Sequence, residues 1–145
     1  MTQEDKDLVL KDLCARQFYK TKVLSPWKKD GPCELSAIDL TSDRQVRVFE
    51  DWYKIEEVKP YLRPMSSMTE GEEKELSMIV NGYGTVITNY NRKEFFLWLY
   101  SGDKDLPFPI LTTFLNWLNE HHFDYNYLID MGLALEAPED MYKTE

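Results

Sequence analysis

The residues best suited to chemistry lie together near the C-terminal end, in Glu120-His121-His122-Phe123-Asp124. Imidazoles and carboxylates are the ligand types that zinc takes. Their spacing argues against a metal. Neighbouring residues on a helix point about 100° apart, so His121 and His122 would not reach one ion together. Glu120 and Asp124 are four apart and could share a face, but two carboxylates with one imidazole make no recognisable zinc spacing. The expectation is no metal: one histidine at a helix end, stabilised by the dipole, and the other packed.

Other constellations fare no better. The chain has only two histidines, so a serine such as Ser66 or Ser67, or either cysteine, has few bases to activate it. Gly82-Tyr83-Gly84 lacks the third glycine and the Lys-Ser/Thr of a phosphate-binding loop, and reads as a turn. Glu70, Glu72, Glu73 and Glu75 suit a solvated helix start better than an acid/base pair. No catalytic residue, cofactor site or metal site is expected. The richest binding surface is aromatic: Trp27, Trp52, Tyr53 and Tyr61, interleaved with Lys28, Lys29, Arg47, Lys59 and Arg63. Such a set can hold an extended peptide or a single nucleic-acid strand, or it can simply close a small barrel.

Positioning these groups falls to a sequence that changes character along its length. Thr2 is a helix cap, Glu4 and Asp5 suit the first turn, and Leu10, Leu13, Cys14 and Phe18 recur at helical spacing. From Lys22 to Val58 come short strands separated by turn signals, with Val46 and Val48 alternating as a half-buried strand requires. Cys33 and Leu35 fall on the face opposite to Ile38 and Leu40, which predicts a bulge near Ala37. Pro60 and Pro64 keep the next stretch extended. Thr69-Glu70-Gly71-Glu72 opens a helix that Asn81-Gly82 ends. A short strand near Val86, a helix through Phe95–Tyr100 and one over 111–121 are expected next. A last helix over 125–131 would have Asp124 as its cap and Gly132 as its stop.

The fold class predicted is α+β: an N-terminal helix, an SH3-like bent barrel at about 22–65, and a helical C-terminal portion. Residues 1–68 form the helix-plus-barrel part, and 69–145 an acidic, mainly helical part packed on it. With 43% hydrophobic and 14% aromatic residues, the chain can bury a core. No apolar run approaches the roughly 20 residues of a bilayer span, so no membrane partner is expected. The acidic start, Met1 to Asp7, is unlike a secretory signal. Two cysteines, Cys14 and Cys33, allow one disulfide but no framework, which favours a reduced cytoplasmic setting. Net charge is -9, and residues 66–145 alone hold five basic and fourteen acidic groups, whereas 20–65 hold nine and eight. An acidic surface repels nucleic-acid backbone and suits basic partners.

Three blocks, LVLKDLCAR, VKPYLRPMSSMTEGEEKE and LNEHHFDYNYLIDMGLALEAPEDMY, resemble short proteins encoded by phages and mobile elements of gut Bacteroidales bacteria. The resemblance implies a bacterial cytoplasmic host and carries no established activity; residues 78–108 look like a variable insertion between shared blocks. The function expected is therefore a non-enzymatic protein-interaction module. Its acidic half, with Glu70, Glu72, Glu73 and Glu75, would engage a basic host or defence protein. Nucleic-acid binding through Trp27, Trp52, Tyr53 and Tyr61 is the alternative.

Overall fold

The computed structural model describes residues 1–26, 32–41, 44–81 and 108–142. Helix α1 (Gln3–Arg16) starts at a reciprocal cap: Thr2 Oγ1 accepts from the Asp5 N–H at 3.0 Å, and Asp5 Oδ2 accepts from the Thr2 N–H at 3.0 Å. Val9, Leu10 and Leu13 form its buried stripe. Phe18, expected on that stripe, is 93% exposed. The helix ends at Arg16, and a 3-10 turn (Gln17–Tyr19) with Lys20 at φ +54° carries Phe18 off the buried face.

Strands β1 (Lys22–Leu24), β2 (Cys33–Asp39), β3 (Gln45–Val48) and β4 (Asp51–Lys54) follow. After a 3-10 turn at Ile55–Glu57 comes β5 (Lys59–Leu62), and near the C-terminal end β6 (Leu135–Glu136). Their order is β4-β3-β2-β1-β5-β6 in one six-stranded sheet. The β2–β3 register slips between Leu35 and Ala37, the bulge that the face change at Ala37 predicted. Val23, Leu35, Val46, Val48, Tyr53 and Leu62 bury against Val9, Leu10 and Leu13 of α1 in one core.

The sheet is open and mixed, which corrects the expectation of a closed SH3-like barrel. Closure would need a neighbour for β4, but β5 takes its second partner from the C-terminal segment. Tyr61 pairs with Leu135 and Leu62 with Glu136, in parallel. Residues 119–142 thus belong with the sheet and not with the helical portion. By contact, the chain divides into Met1–Pro64 with Asn119–Glu145, and Met65–Leu118.

The second unit holds α2 (Glu70–Asn81) and most of α3 (Phe108–Glu120). The Thr69 cap is built as its pattern predicts: Thr69 N–H donates to Glu72 Oε1 at 3.0 Å, and Glu72 N–H to Thr69 Oγ1 at 3.2 Å. Leu76, Phe114, Trp117 and Leu118 are buried. The strand expected near Val86, the helix through Phe95–Tyr100 and most of the 78–108 insertion lie outside the described residues. Among the described residues no helix is long and apolar enough to cross a membrane.

The helix expected over 125–131 is instead a series of turns. Tyr127 at φ +59° breaks any helical run, and the Leu133 and Ala134 amides both turn back to the Leu128 carbonyl. Asp124 nevertheless caps the segment, accepting from the Leu128 and Ile129 amides at 2.9 Å each. Gly132 stands at φ +75°, the left-handed stop that its position predicted, and a Cβ there would meet nothing within 4 Å. Steric clash is therefore absent, and Gly132→Ala should cost only the conformational term, about 1–2 kcal/mol. Chemical denaturation of the two proteins reads this directly, and equal midpoints would contradict the left-handed geometry.

Candidate functional site

The polar residues that the sequence concentrates around 119–126 meet α1 in the interior of the sheet unit. Asp12 and Arg16 are one helical turn apart, and both side chains are fully buried. Arg16 Nε donates to Asp12 Oδ2 at 2.8 Å, and Nη2 donates to Asp12 Oδ1 at 3.0 Å and to the Phe123 carbonyl at 2.6 Å. Asn126 Nδ2 adds a bond to Asp12 Oδ1 at 2.9 Å. The Arg16 guanidinium stands 5.1 Å from the Tyr125 ring centroid, and the Tyr125 hydroxyl donates to Asn119 Oδ1 at 2.8 Å. Burial, the largest influence, raises the Tyr125 phenol above its usual range.

A second cluster adjoins it. Arg63 forms a parallel bridge with Phe123; its N–H donates to the His122 carbonyl at 2.7 Å, and its guanidinium lies 4.2 Å from the Phe123 ring centroid. His122, at φ +63°, stacks on Tyr142 with centroids 3.6 Å apart and planes 14° apart. The Tyr142 hydroxyl accepts from the Lys22 N–H at 2.9 Å and donates to the Tyr61 carbonyl at 2.8 Å. Strands β1 and β5 pair at Val23–Pro60 and Leu24–Lys59, so Lys22 and Tyr61 would be the next pair. The phenol stands between them and relays the hydrogen bond. Burial pushes its pKa up to about 12.

Burial, followed by the charges of Arg16, Arg63, His121 and Lys22, lowers the His122 pKa to about 3. A buried neutral imidazole under a tyrosine ring suits packing and does not suit a base poised near neutrality. The expectation of a packed histidine describes His122. Arg16 Nη1 and His122 Nδ1 have no hydrogen-bond partner among the described residues. Burial, the largest cause, raises the Asp124 carboxyl. Asp12, Arg16, Asn126 and Tyr142 were not singled out from the sequence. The i,i+4 Asp–Arg spacing was the available signal, but on a helix it reads first as a surface pair.

The residues expected to bind are scattered. Tyr53 is 6% exposed and belongs to the core, whereas Trp52 is 45% exposed. Tyr61 is half-buried, on β5. Trp27, Lys28 and Lys29 lie outside the described residues. In the second unit Glu72 is committed to the Thr69 cap, and Glu75 Oε2 accepts from Trp117 Nε1 at 3.3 Å. Glu70 is exposed and Glu73 half-exposed. Cys14 and Cys33 are both free, and burial raises the Cys14 thiol. Among the described residues no three His, Cys, Asp or Glu side chains converge on a metal position.

Sequence reasoning missed Phe49, which is 58% exposed at φ +60°. It is the first of two residues connecting β3 to β4, a place where hairpins usually put Gly or Asn. Directly behind it, Arg47 pairs with Trp52 across the ladder. A cleft of about 340 Å³ opens at the other end of this hairpin, and the ion pairs Lys6–Glu56 (3.7 Å) and Arg44–Asp7 (2.6 Å) form part of its lining. Those pairs engage four of its five charged side chains, leaving Lys54, and no serine, threonine, cysteine or histidine is among its lining residues.

Two outcomes follow for the buried groups. Removing either partner alone, as Asp12→Ala or Arg16→Met, leaves a buried charge unpaired and should cost about 3–5 kcal/mol. The double variant Asp12→Leu/Arg16→Met should be less destabilised than the sum, by denaturant unfolding; strict additivity would show that the two do not act as a pair. The second concerns pH. Unfolded His122 binds a proton below about 6.5 and the folded one only near 3. The unfolded state therefore holds the extra proton in between, and stability should fall as pH is lowered across that window. The slope is at most about 1.4 kcal/mol per pH unit. Asp124, raised in the fold, works in the opposite sense near the acid end of the window, so the region just below 6.5 reads His122 most cleanly. His122→Phe should flatten the profile there; an unchanged profile would assign the titration elsewhere.

No protein-family model matches the chain, and no curated protein and no solved structure is similar to it.

Proposed function

We propose that the chain is a non-enzymatic protein-interaction module and that its contact surface is the β3–β4 hairpin, around Phe49 and Trp52. The observation that carries this reading is Phe49: a bulky aromatic, more than half exposed, in a backbone region that a β-carbon disfavours by roughly 1–2 kcal/mol. Strain of that kind marks functional positions more often than scaffolding ones. Phe49 interacts within the chain as well, and the exposed larger part of its side chain is the area that a partner would cover. Trp52, exposed on the same hairpin, supplies the second anchor.

The acidic helix supports a contact less well. Glu72 and Glu75 are engaged in hydrogen bonds within their own unit, and Glu73 is not free either. The net charge of -9 would act at longer range, speeding the encounter with a basic partner. Nucleic acid fits poorly, since Glu50 and Asp51 flank the exposed aromatics and Tyr53 is buried. A closed SH3-like barrel forms no part of the proposal. The resemblance of three blocks to mobile-element proteins supports a bacterial cytoplasmic setting, and the free cysteines accord with it.

The test separates stability from binding. Phe49→Gly relieves the strain, so it should keep or raise stability by roughly 0.5–1 kcal/mol while weakening partner capture. Affinity capture from a Bacteroidales lysate, run with the wild type, Phe49→Gly/Trp52→Ala and Glu70→Gln/Glu73→Gln, reads the binding side. Capture lost with the aromatic pair and kept with the glutamine pair is the expected pattern; the reverse would move the surface to α2.

A further inference from the structure

We infer that the gap between Lys22 and Tyr61 is a phenol-binding slot, and that residues 138–142 are a strap which carries its ligand, Tyr142, and opens while the sheet stays folded. The site is separate from the hairpin surface and does not depend on it.

The slot begins with Pro60. Strands β1 and β5 pair Val23 with Pro60 and Leu24 with Lys59, and the pairing stops short of Lys22 and Tyr61. Pro60 has no N–H, so its pair cannot exchange two backbone bonds, and Lys22 with Tyr61 becomes the next hydrogen-bonding rung. One bond of that rung runs through a side chain. The Tyr142 hydroxyl accepts from the Lys22 N–H at 2.9 Å and donates to the Tyr61 carbonyl at 2.8 Å. A donor and an acceptor that face each other across one oxygen select a hydroxyl. A carboxylate cannot donate there, and an ammonium cannot accept.

An aromatic wall completes the selection. The His122 ring lies 3.6 Å from the Tyr142 ring, centroid to centroid, with the planes 14° apart. That wall has supports of its own. The His122 N–H donates to the Asn119 carbonyl at 3.1 Å, and the His122 carbonyl accepts from the Arg63 N–H at 2.7 Å. Between those bonds His122 stands at φ +63°, a backbone region that a β-carbon disfavours and that ligand clamps use.

The ligand arrives on a segment that is held differently. Strand β6 pairs with β5, and the Ala137 N–H donates to the Leu62 carbonyl at 2.8 Å, which fixes the root of the strap. Residues 138–140 beyond it are exposed. The Met141 N–H then donates to the Pro138 carbonyl at 3.0 Å, a bond internal to the strap, and Tyr142 ties the turn to β1 and β5. Glu139 and Asp140 precede the tyrosine, whereas Arg16, Arg63 and Lys22 put positive charge around His122. Opposite signs draw an opened strap back. Tyr142 is in this sense an intramolecular competitor, since a second tyrosine side chain enters the slot only when the first is out.

Amide hydrogen exchange of the full chain, followed by NMR, tests both parts, with p-cresol as the free tyrosine side chain. In the wild type the Lys22 amide should exchange at least about a hundredfold faster than the Leu24 amide, whose pairing with Lys59 belongs to the sheet. Tyr142→Ala should strip the Lys22 amide of its protection, and p-cresol should restore it with a dissociation constant of about 1 mM. 4-Methylanisole keeps the oxygen and lacks the proton, so it should bind at least about tenfold more weakly. Tyr142→Phe keeps the ring and removes the hydroxyl. Its Lys22 amide should exchange about tenfold faster than in the wild type, with Leu24 unmoved. Circular dichroism follows the fold of each variant. A wild-type Lys22 amide as protected as that of Leu24 overturns the inference, because the strap then opens only with the sheet. So does p-cresol that restores nothing, or 4-methylanisole that binds equally well. A Tyr142→Ala chain that unfolds and stays unfolded in p-cresol overturns it too, since Tyr142 is then part of the fold and not its ligand.

Discussion

Everything in the sheet unit depends on the burial of Arg16. A guanidinium taken out of water needs its charge met and its donors engaged; Nε and Nη2 are engaged, and Nη1 has no partner among the described residues. Here Asp12 supplies the charge from the same helix, but a pair one turn apart cannot use all five donors. The Phe123 carbonyl accepts one more, and Asn126 secures the Asp12 carboxylate from the other side. The ion pair therefore requires residues 123–126, and those residues require α1. A hydrophobic helix could slide or rotate at small cost; this one is held in register by two directional bonds to the C-terminal segment, from Arg16 to the Phe123 carbonyl and from Asn126 to Asp12.

The same constraint explains why the sheet is open. Once Phe123 is held against Arg16, Arg63 forms its bridge to Phe123 and the segment runs beside β5, where Leu135 and Glu136 take the edge. The chain then turns back, and Tyr142 enters between Lys22 and Tyr61. That hydroxyl does for β1 and β5 what a direct backbone bond does elsewhere in the ladder, and a buried phenol satisfied on both sides costs little. His122 stacks on the ring and stays neutral because its burial disfavours the charged form and, after that, because protonation would add a charge near Arg16 and Arg63.

Much of this was written locally and could be read there. The caps at Thr2 and Thr69, the bulge at Ala37 and the stop at Gly132 each depend on a few neighbouring residues, and each appears where the pattern put it. The misreadings share a different cause. Residues 125–131 have a helical apolar pattern and a competent cap, yet Tyr127 in a left-handed conformation and bonds back to Leu128 outcompete the helix. Strand β6 is two residues long and exists only because β5 offers an edge, so no local pattern could announce it. Asp12 and Arg16 were passed over because what fixes their burial lies more than 100 positions away in sequence. Phe49 was invisible as an outlier until its backbone was known, since an aromatic after Val48 reads as one more strand residue.

The two edges of the sheet are consequently treated in opposite ways. At the β5 side, the C-terminal segment adds a parallel strand beyond β5, while the phenol and the imidazole stacked on it secure the seam between β1 and β5. At the β4 side, Glu57 accepts the Lys54 N–H, and Trp52 is 45% exposed. A fold that lacked means to protect an edge would leave both exposed, and a fold selected only for stability would place a glycine where Phe49 stands. The retained strain and the uncovered strand occur on the same hairpin, a few residues apart. Exposure and strain thus meet on that hairpin, whereas the acidic side chains of α2 are largely engaged within their own unit.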